Sequence, residues 1–157
     1  MSITLAAVEQ CRDTLANAFA AYDVQLACLF VGHLRRLRQR FNQFDEFRAD
    51  VDTRELCVHF LHIALESVLD ICRHFLAVVG ISLAEFDTAN MIDLAGEKGL
   101  FDRPFAKRIR GMAGMRNAIV HVYWRLDYPE IYRVITEQLV DFDEFARQTR
   151  QRLSPDA

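Results

Sequence analysis

Glycine and proline are scarce in this chain, with six and three in 157 residues. That leaves little material for a disordered or proline-rich protein and suits a helical globular one. No C-x-x-C pair occurs. The four cysteines, Cys11, Cys28, Cys57 and Cys72, sit in apolar runs and read as buried, reduced thiols of a cytoplasmic protein. Positive charge is not in excess either. At a net charge of −3 there is no global basic field to hold long nucleic acid nonspecifically, because such binding rests on phosphate neutralisation. The start, MSITLAAVEQCRD, lacks the basic region and long apolar core of a signal peptide. The longest uncharged runs, around Val24 to Leu34 and His74 to Ala84, fall short of the roughly 20 residues of a membrane span, so no membrane partner is expected. Internal repeats, low-complexity tracts and interdomain linkers are missing, which predicts one domain over residues 1–157.

What the chain does have is hydrophobic periodicity. Half of its residues are apolar, and a chain of this length buries about two-thirds of its unfolded surface, enough to need no metal or disulfide staple. Leu5, Val8, Leu15 and Phe19 repeat at helical spacing behind a Ser2 or Thr4 cap. Leu26, Phe30, Leu34, Leu37 and Phe41 give a second apolar face over about Asp23 to Phe44. No turn signal separates the two, so one long helix is the alternative. The basic run Arg35, Arg36, Arg38 and Arg40 reads as a solvated face. After a connection over 44–52, a helix from Thr53 to Val79 stops at Gly80 and carries the broadest apolar face, which makes it the expected core helix. A short helix follows, ended by Gly96 or Gly99. Asp102-Arg103-Pro104 then caps another, in which Gly111 and Gly114 suggest a close helix approach. Tyr128-Pro129 ends that helix or its extension. A last helix buries Ile131, Val134, Ile135, Leu139, Phe142 and Phe145, and residues 147–157 read as a frayed polar tail.

The core helix has a second, polar stripe: Glu55, His59, His62, Glu66, Asp70 and Arg73. His59, His62, Glu66 and Asp70 lie within three turns and invite a metal. Helical carboxylate metal bundles, however, take Glu-x-x-His motifs from further helices, and none occurs elsewhere here. The favoured reading is an ion-paired stripe facing solvent, a partner or the Arg116 region, with no metal and no cofactor.

The chemically richest stretch is MRNAIVHVYWRLDY, Met115 to Tyr128. Arg116 is a permanent, forked cation that fits a phosphate. His121 belongs to the one side-chain type that exchanges a proton near neutral pH without help. Tyr123 carries a hydroxyl that can be modified. On a continuous helix Arg116 and Tyr123, seven apart, would stack along one face, and Asn117 would sit one turn before His121. Val120, Val122 and Trp124 are expected to supply the packing.

Arg116-x4-His121-x-Tyr123 resembles the Arg-x4-His-x-Tyr motif of HEPN-domain ribonucleases. The fuller string, Met112-Ala113-Gly114-Met115-Arg116-Asn117, then Val120-His121-Val122-Tyr123, then Asp127, is similar to the HepT-like branch. The approach through Asp70 and the Leu-Ala-Gly-Glu-Lys-Gly segment fits too, and the likeness spans about residues 56–140. It implies an all-α, antiparallel HEPN-type bundle of five to six helices. It also implies a homodimer with the two motifs facing one cleft, and a metal-independent endoribonuclease acting as a toxin. The implied partner is an MNT-type nucleotidyltransferase antitoxin, able to transfer AMP from ATP to Tyr123.

The chemistry can be argued independently. Metal-free RNA cleavage needs a base for the 2′-hydroxyl, an acid for the leaving 5′-oxygen and a cation at the phosphorane. His121 is assigned the acid–base role and Arg116 the charge stabilisation, with a dimer supplying a second histidine. Asn117 is assigned to orient His121, and Asp70 or Asp127 to hold Arg116 by a bidentate pair. AMP on Tyr123 would add bulk and negative charge where substrate must sit. The competing reading is a non-catalytic helical module that binds RNA or a nucleotidyltransferase.

Overall fold

The computed structural model describes residues 4–82, 84 and 86–153, and every regular element among them is helical. The elements are α1 (Leu5–Arg38), α2 (Phe44–Ala49), α3 (Val51–Val78), α4 (Met91–Glu97), α5 (Arg103–Ile109), α6 (Gly111–His121), α7 (Tyr128–Arg133) and α8 (Leu139–Leu153). A 3-10 turn, Tyr123–Arg125, follows α6, and a π turn, Val134–Gln138, joins α7 to α8.

Capping explains the starts. Thr4, Asp50, Asp102 and Asp127 each accept a hydrogen bond from the backbone N–H three residues on, at the entries of α1, α3, α5 and α7. Ser2, the other cap suggested for α1, lies outside the described residues. The stops after α3 and α4 are Gly80 and Gly99, both with positive φ. The π turn has a local cause as well. The Thr136 hydroxyl donates to the carbonyls of Tyr132 (2.8 Å) and Arg133 (3.2 Å) and competes with the helical ladder there.

α1 is continuous, so the single-helix alternative holds. It runs antiparallel to α3: Phe19 lies on His74, Phe30 on Phe60, and Arg40 bonds Thr53. It is antiparallel to α8 too, with Arg35 on Asp143 and Arg150 on Cys28. The face of α1 turned inward is Ala20, Val24, Ala27, Val31, Leu34 and Leu37. Leu5, Val8, Leu15 and Phe19 are not part of the core. They are 75, 52, 55 and 58% exposed, because the first turns of α1 overshoot the end of α3 and Phe19, beside His74, lies off the inward face. By length and composition α1 is the one described helix that could cross a membrane. A count of uncharged runs passes over it because Asp23 interrupts it.

The core continues through Leu61, Leu65, Val68 and Leu76 of α3 to Ile135, Phe142 and Phe145 of the last helices. Where α1 ends, Phe41, Phe44, Phe47 and Tyr132 form an aromatic cluster with centroids 5.0 to 6.4 Å apart. That cluster is why the expected connection over 44–52 folds as α2: Phe44 and Phe47 need one helical face to reach Tyr132.

Two further expectations are corrected, and the basic run after Leu34 is the exposed face expected at Arg35, Arg36 and Arg40, with Arg35 meeting Asp143, Arg36 meeting His33 and the partly buried Arg38 closing onto the Phe41 carbonyl. Gly111 and Gly114 have open space around them; the close approach is at Gly96, where a Cβ would meet the Ala106 Cβ at 2.5 Å. The tail is helical to Leu153, with Gln148 and Thr149 buried. Gln148 accepts from the Asp102 backbone N–H (2.8 Å) and donates to the Asp102 carboxylate (2.6 Å), which fixes the α5 entry.

The cysteines also divide. Cys57 and Cys72 are buried, Cys28 is partly so and Cys11 is exposed. Burial pushes the Cys57 thiol up to about 12 and raises Cys72 as well. A chromogenic disulfide reagent is therefore expected to titrate Cys11 first and Cys28 more slowly, with Cys57 and Cys72 reacting only as the chain unfolds. Rapid reaction of all four in native buffer would contradict this packing.

Candidate active site

α5 and α6 meet at Arg110, and α6 lies antiparallel along the polar stripe of α3. Of that stripe, Glu55 and Glu66 face the Arg116 region, while His59 is exposed to solvent. Arg116 donates through Nε to Glu66 Oε2 (2.5 Å) and through Nη1 to the Asn117 side-chain carbonyl (3.2 Å). Its side chain remains 22% exposed, so the fork is held from one side and open on the other. His62 Nε2 lies 3.8 Å from the same Glu66 oxygen.

The expected helpers are placed differently. Asp70 pairs with Arg73 in its own helix, and Asp127 caps α7 through the Glu130 N–H (3.0 Å). Both would have needed to reach Arg116; Glu66, one turn from Asp70, takes that position. Asn117 is turned to the guanidinium rather than to the histidine. Among the described residues no three His, Cys, Asp or Glu side chains gather as a metal set.

α6 ends at His121, which is exposed. Tyr123 therefore does not stack under Arg116 on one helical face; it belongs to the following 3-10 turn. Its hydroxyl donates to Glu55 Oε2 (2.7 Å). Tyr128 donates to Glu55 Oε1 (3.0 Å), Arg54 Nε lies 3.2 Å from the same oxygen, and the Arg54 guanidinium sits 4.4 Å from the Tyr128 ring centre. Burial pushes the Glu55 carboxyl up, but the three donors together outweigh it and hold it below the usual carboxylate range. The hydrogen bond to Glu55, and then its charge, raise the Tyr123 phenol above its ordinary value. This phenol keeps its proton further into the alkaline range in the folded chain than in the unfolded one. Its contribution to stability is thus complete below the ordinary tyrosine pKa and fades as pH rises through the raised one. In Glu55→Gln the alkaline titration of Tyr123, followed by ultraviolet difference absorption, is expected to move down. An unmoved curve would remove the carboxylate as the cause.

Sequence reasoning missed Glu55 and Glu66 as anchors, although the signal was there: eleven residues apart, they fall on one face of α3. It also misjudged Val120, Val122 and Trp124. These are 40, 38 and 78% exposed, so they form an apolar rim beside His121 instead of packing. Two cavities, of about 140 and 260 Å³, lie toward α7 and the π turn and are lined by neither Arg116 nor His121.

Comparison with known proteins settles the lineage. A family model described as "Ribonuclease HepT-like" matches residues 30–149. The chain belongs to the HepT-like ribonuclease family. The HepT-like region thus takes in all of α3 to α7 and most of α8, and leaves out the exposed start of α1. A relative, the mRNA nuclease HepT of Shewanella oneidensis, is 22% identical over 112 residues, or 71% of this chain and 84% of that protein. Among solved structures, a tri-AMPylated HEPN toxin of the same organism in complex with an MNT antitoxin superposes with a TM-score of 0.68 at 20% identity, covering 83% of this chain and 95% of the other. A cytosolic protein of unknown function from Bacillus subtilis, YutE, gives 0.66 at 14% identity over 85 and 90%. The all-α fold of this chain is thus that of the HEPN toxin.

Proposed function

We propose that this HepT-like chain is a cytoplasmic, metal-independent endoribonuclease toxin, with Arg116 and His121 as its catalytic residues. The observation that carries this reading is the posture of Arg116: pinned by Glu66 and Asn117, yet open on its outer side, with an exposed His121 at the end of the same helix. Five residues of helix turn the two side chains about 140° apart, so one chain does not close a cleft around one phosphodiester. A homodimer with the two motifs facing supplies the second wall and the second imidazole. One histidine then removes the 2′-hydroxyl proton, the other protonates the leaving 5′-oxygen, and the guanidinium meets the charge building on phosphorus. Trp124 offers an unoccupied ring on which a base can stack.

The partner is an MNT-type nucleotidyltransferase, and control falls on Tyr123. In the transfer the phenol oxygen bonds to the α-phosphorus of ATP, pyrophosphate leaves and the phenol proton is lost. The modified tyrosine can no longer donate to Glu55, and its phosphodiester charge is repelled by that carboxylate. Co-expression with an MNT-type nucleotidyltransferase is expected to add the mass of one or more AMP units to the peptide holding Tyr123 and to none in Tyr123→Phe. Activity on RNA is tested in EDTA. Binding of RNA without any product would favour the non-catalytic module.

A further inference from the structure

α1 carries two apolar faces. The inner one, through Ala20, Val24, Ala27 and Val31, is covered by α3 and α8. The outer one is centred about a third of a turn away. It consists of Leu5, Val8, Leu15, Phe19, Tyr22 and Leu29, between 52 and 75% exposed, with Arg12 and the partly buried Leu26 completing the pattern. These eight positions alternate spacings of three and four residues from Leu5 to Leu29, which is the seam of a coiled coil. The chain's own core does not reach the first turns. Residues 4–12 are all exposed, burial in the core begins only at Ala20, and the flank of α1 that would continue the inner face toward its start is Glu9 and Asp13. Among the described residues, the seam is therefore exposed along its apolar side chains. It also lies outside the HepT-like match at 30–149.

We propose that this seam pairs, antiparallel, with the same seam of a second copy of the chain. The register is self-complementary. Centred on Asn17, it sets Leu5 against Leu29, Val8 against Leu26, Arg12 against Tyr22 and Leu15 against Phe19, with no position left over. The one charge in the seam, Arg12, meets a tyrosine ring, a favourable cation–aromatic pairing. A parallel pair would stack Arg12 on itself. Antiparallel pairing also lays each protomer's body beside the other's overhanging turns, so the two bodies do not compete for space. The six exposed side chains present on the order of 600 Å² per chain, and about 1,200 Å² for the pair reaches the lower limit of specific interfaces. A bilayer suits the segment less well, because Glu9, Arg12, Asp13 and Asp23 interrupt it. The inference does not depend on ribonuclease activity.

Light scattering of the full-length protein tests it. Leu15→Glu is expected to lower the assembly mass shown by the unsubstituted chain at equal concentration, to half where the seam is the one interface formed, with the helical circular dichroism signal retained. Leu29→Glu should do the same. An unchanged mass in both overturns the proposal, as does wild-type protein that fails to self-associate but floats with phosphatidylcholine vesicles. The register is read separately in a Cys11→Ser background. Mixed Leu15→Cys and Phe19→Cys proteins should form the 15-to-19 disulfide faster than either protein links to itself. Preferential 15-to-15 linkage would overturn the antiparallel arrangement even if the charged variants do not fold.

Discussion

His121→Ala is expected to slow RNA cleavage in EDTA by about 10²–10⁴-fold, the usual worth of a positioned acid–base group. Its melting temperature should hardly change, because the imidazole is exposed at a helix end and supports no packing. Arg116→Ala should lose about 10²–10³-fold, as when a donor to a developing oxyanion is removed. This variant also strips Glu66 and Asn117 of their partner, so a modest loss of stability accompanies it. Arg116→Lys separates the two effects: it keeps a charge near Glu66 but not the planar fork, and should recover stability better than rate. The measurements are initial rates on a structured RNA and thermal melts of the same preparations. Cleavage at the native rate in both alanine variants would withdraw the catalytic assignment.

The largest stability effect is expected at Phe47, not at the site. Its ring is fully buried and lies 5.0 Å from Phe41 and 5.7 Å from Tyr132. Phe47→Ala removes that payload and leaves a cavity that the short α2 cannot readily collapse into, a cost of about 3–5 kcal/mol. For a chain of this size that lowers the melting temperature by about 10 °C. Since Tyr132 stands at the entry to the π turn, cleavage below the melt should survive. A loss below about 1 kcal/mol in urea titration would mean that α2 is not packed as described.

Much of this was legible in the residues. The long helices announced themselves through apolar spacing, Gly80 ended α3, and Asp102 with Pro104 opened α5. The all-α HEPN fold followed from those and from the Arg116–His121–Tyr123 string. Two kinds of information were not legible. Periodicity says that a face is apolar, not what covers it, so Leu5 to Phe19 read as core although the helix outruns its neighbour. Charge says that Arg116 will find a carboxylate, not which one. Asp70 and Asp127 were the carboxylates expected there, and the crossing of α3 and α6 brings Glu66 instead. The break after His121 was hidden as well, since no glycine or proline marks Val122; the 3-10 turn forms where Tyr123 reaches for Glu55.

That reach has a consequence for how the site is scaled. Glu55 and Glu66 are carried by one uninterrupted rod, about 16 Å apart along its axis. The separation between phenol and guanidinium is therefore inherited from α3, not from the short link that connects them. A residue gained or lost between His121 and Asp127 would leave this yardstick untouched, whereas one gained or lost between Glu55 and Glu66 would rotate one anchor away from the other and uncouple the placement of Tyr123 from that of Arg116.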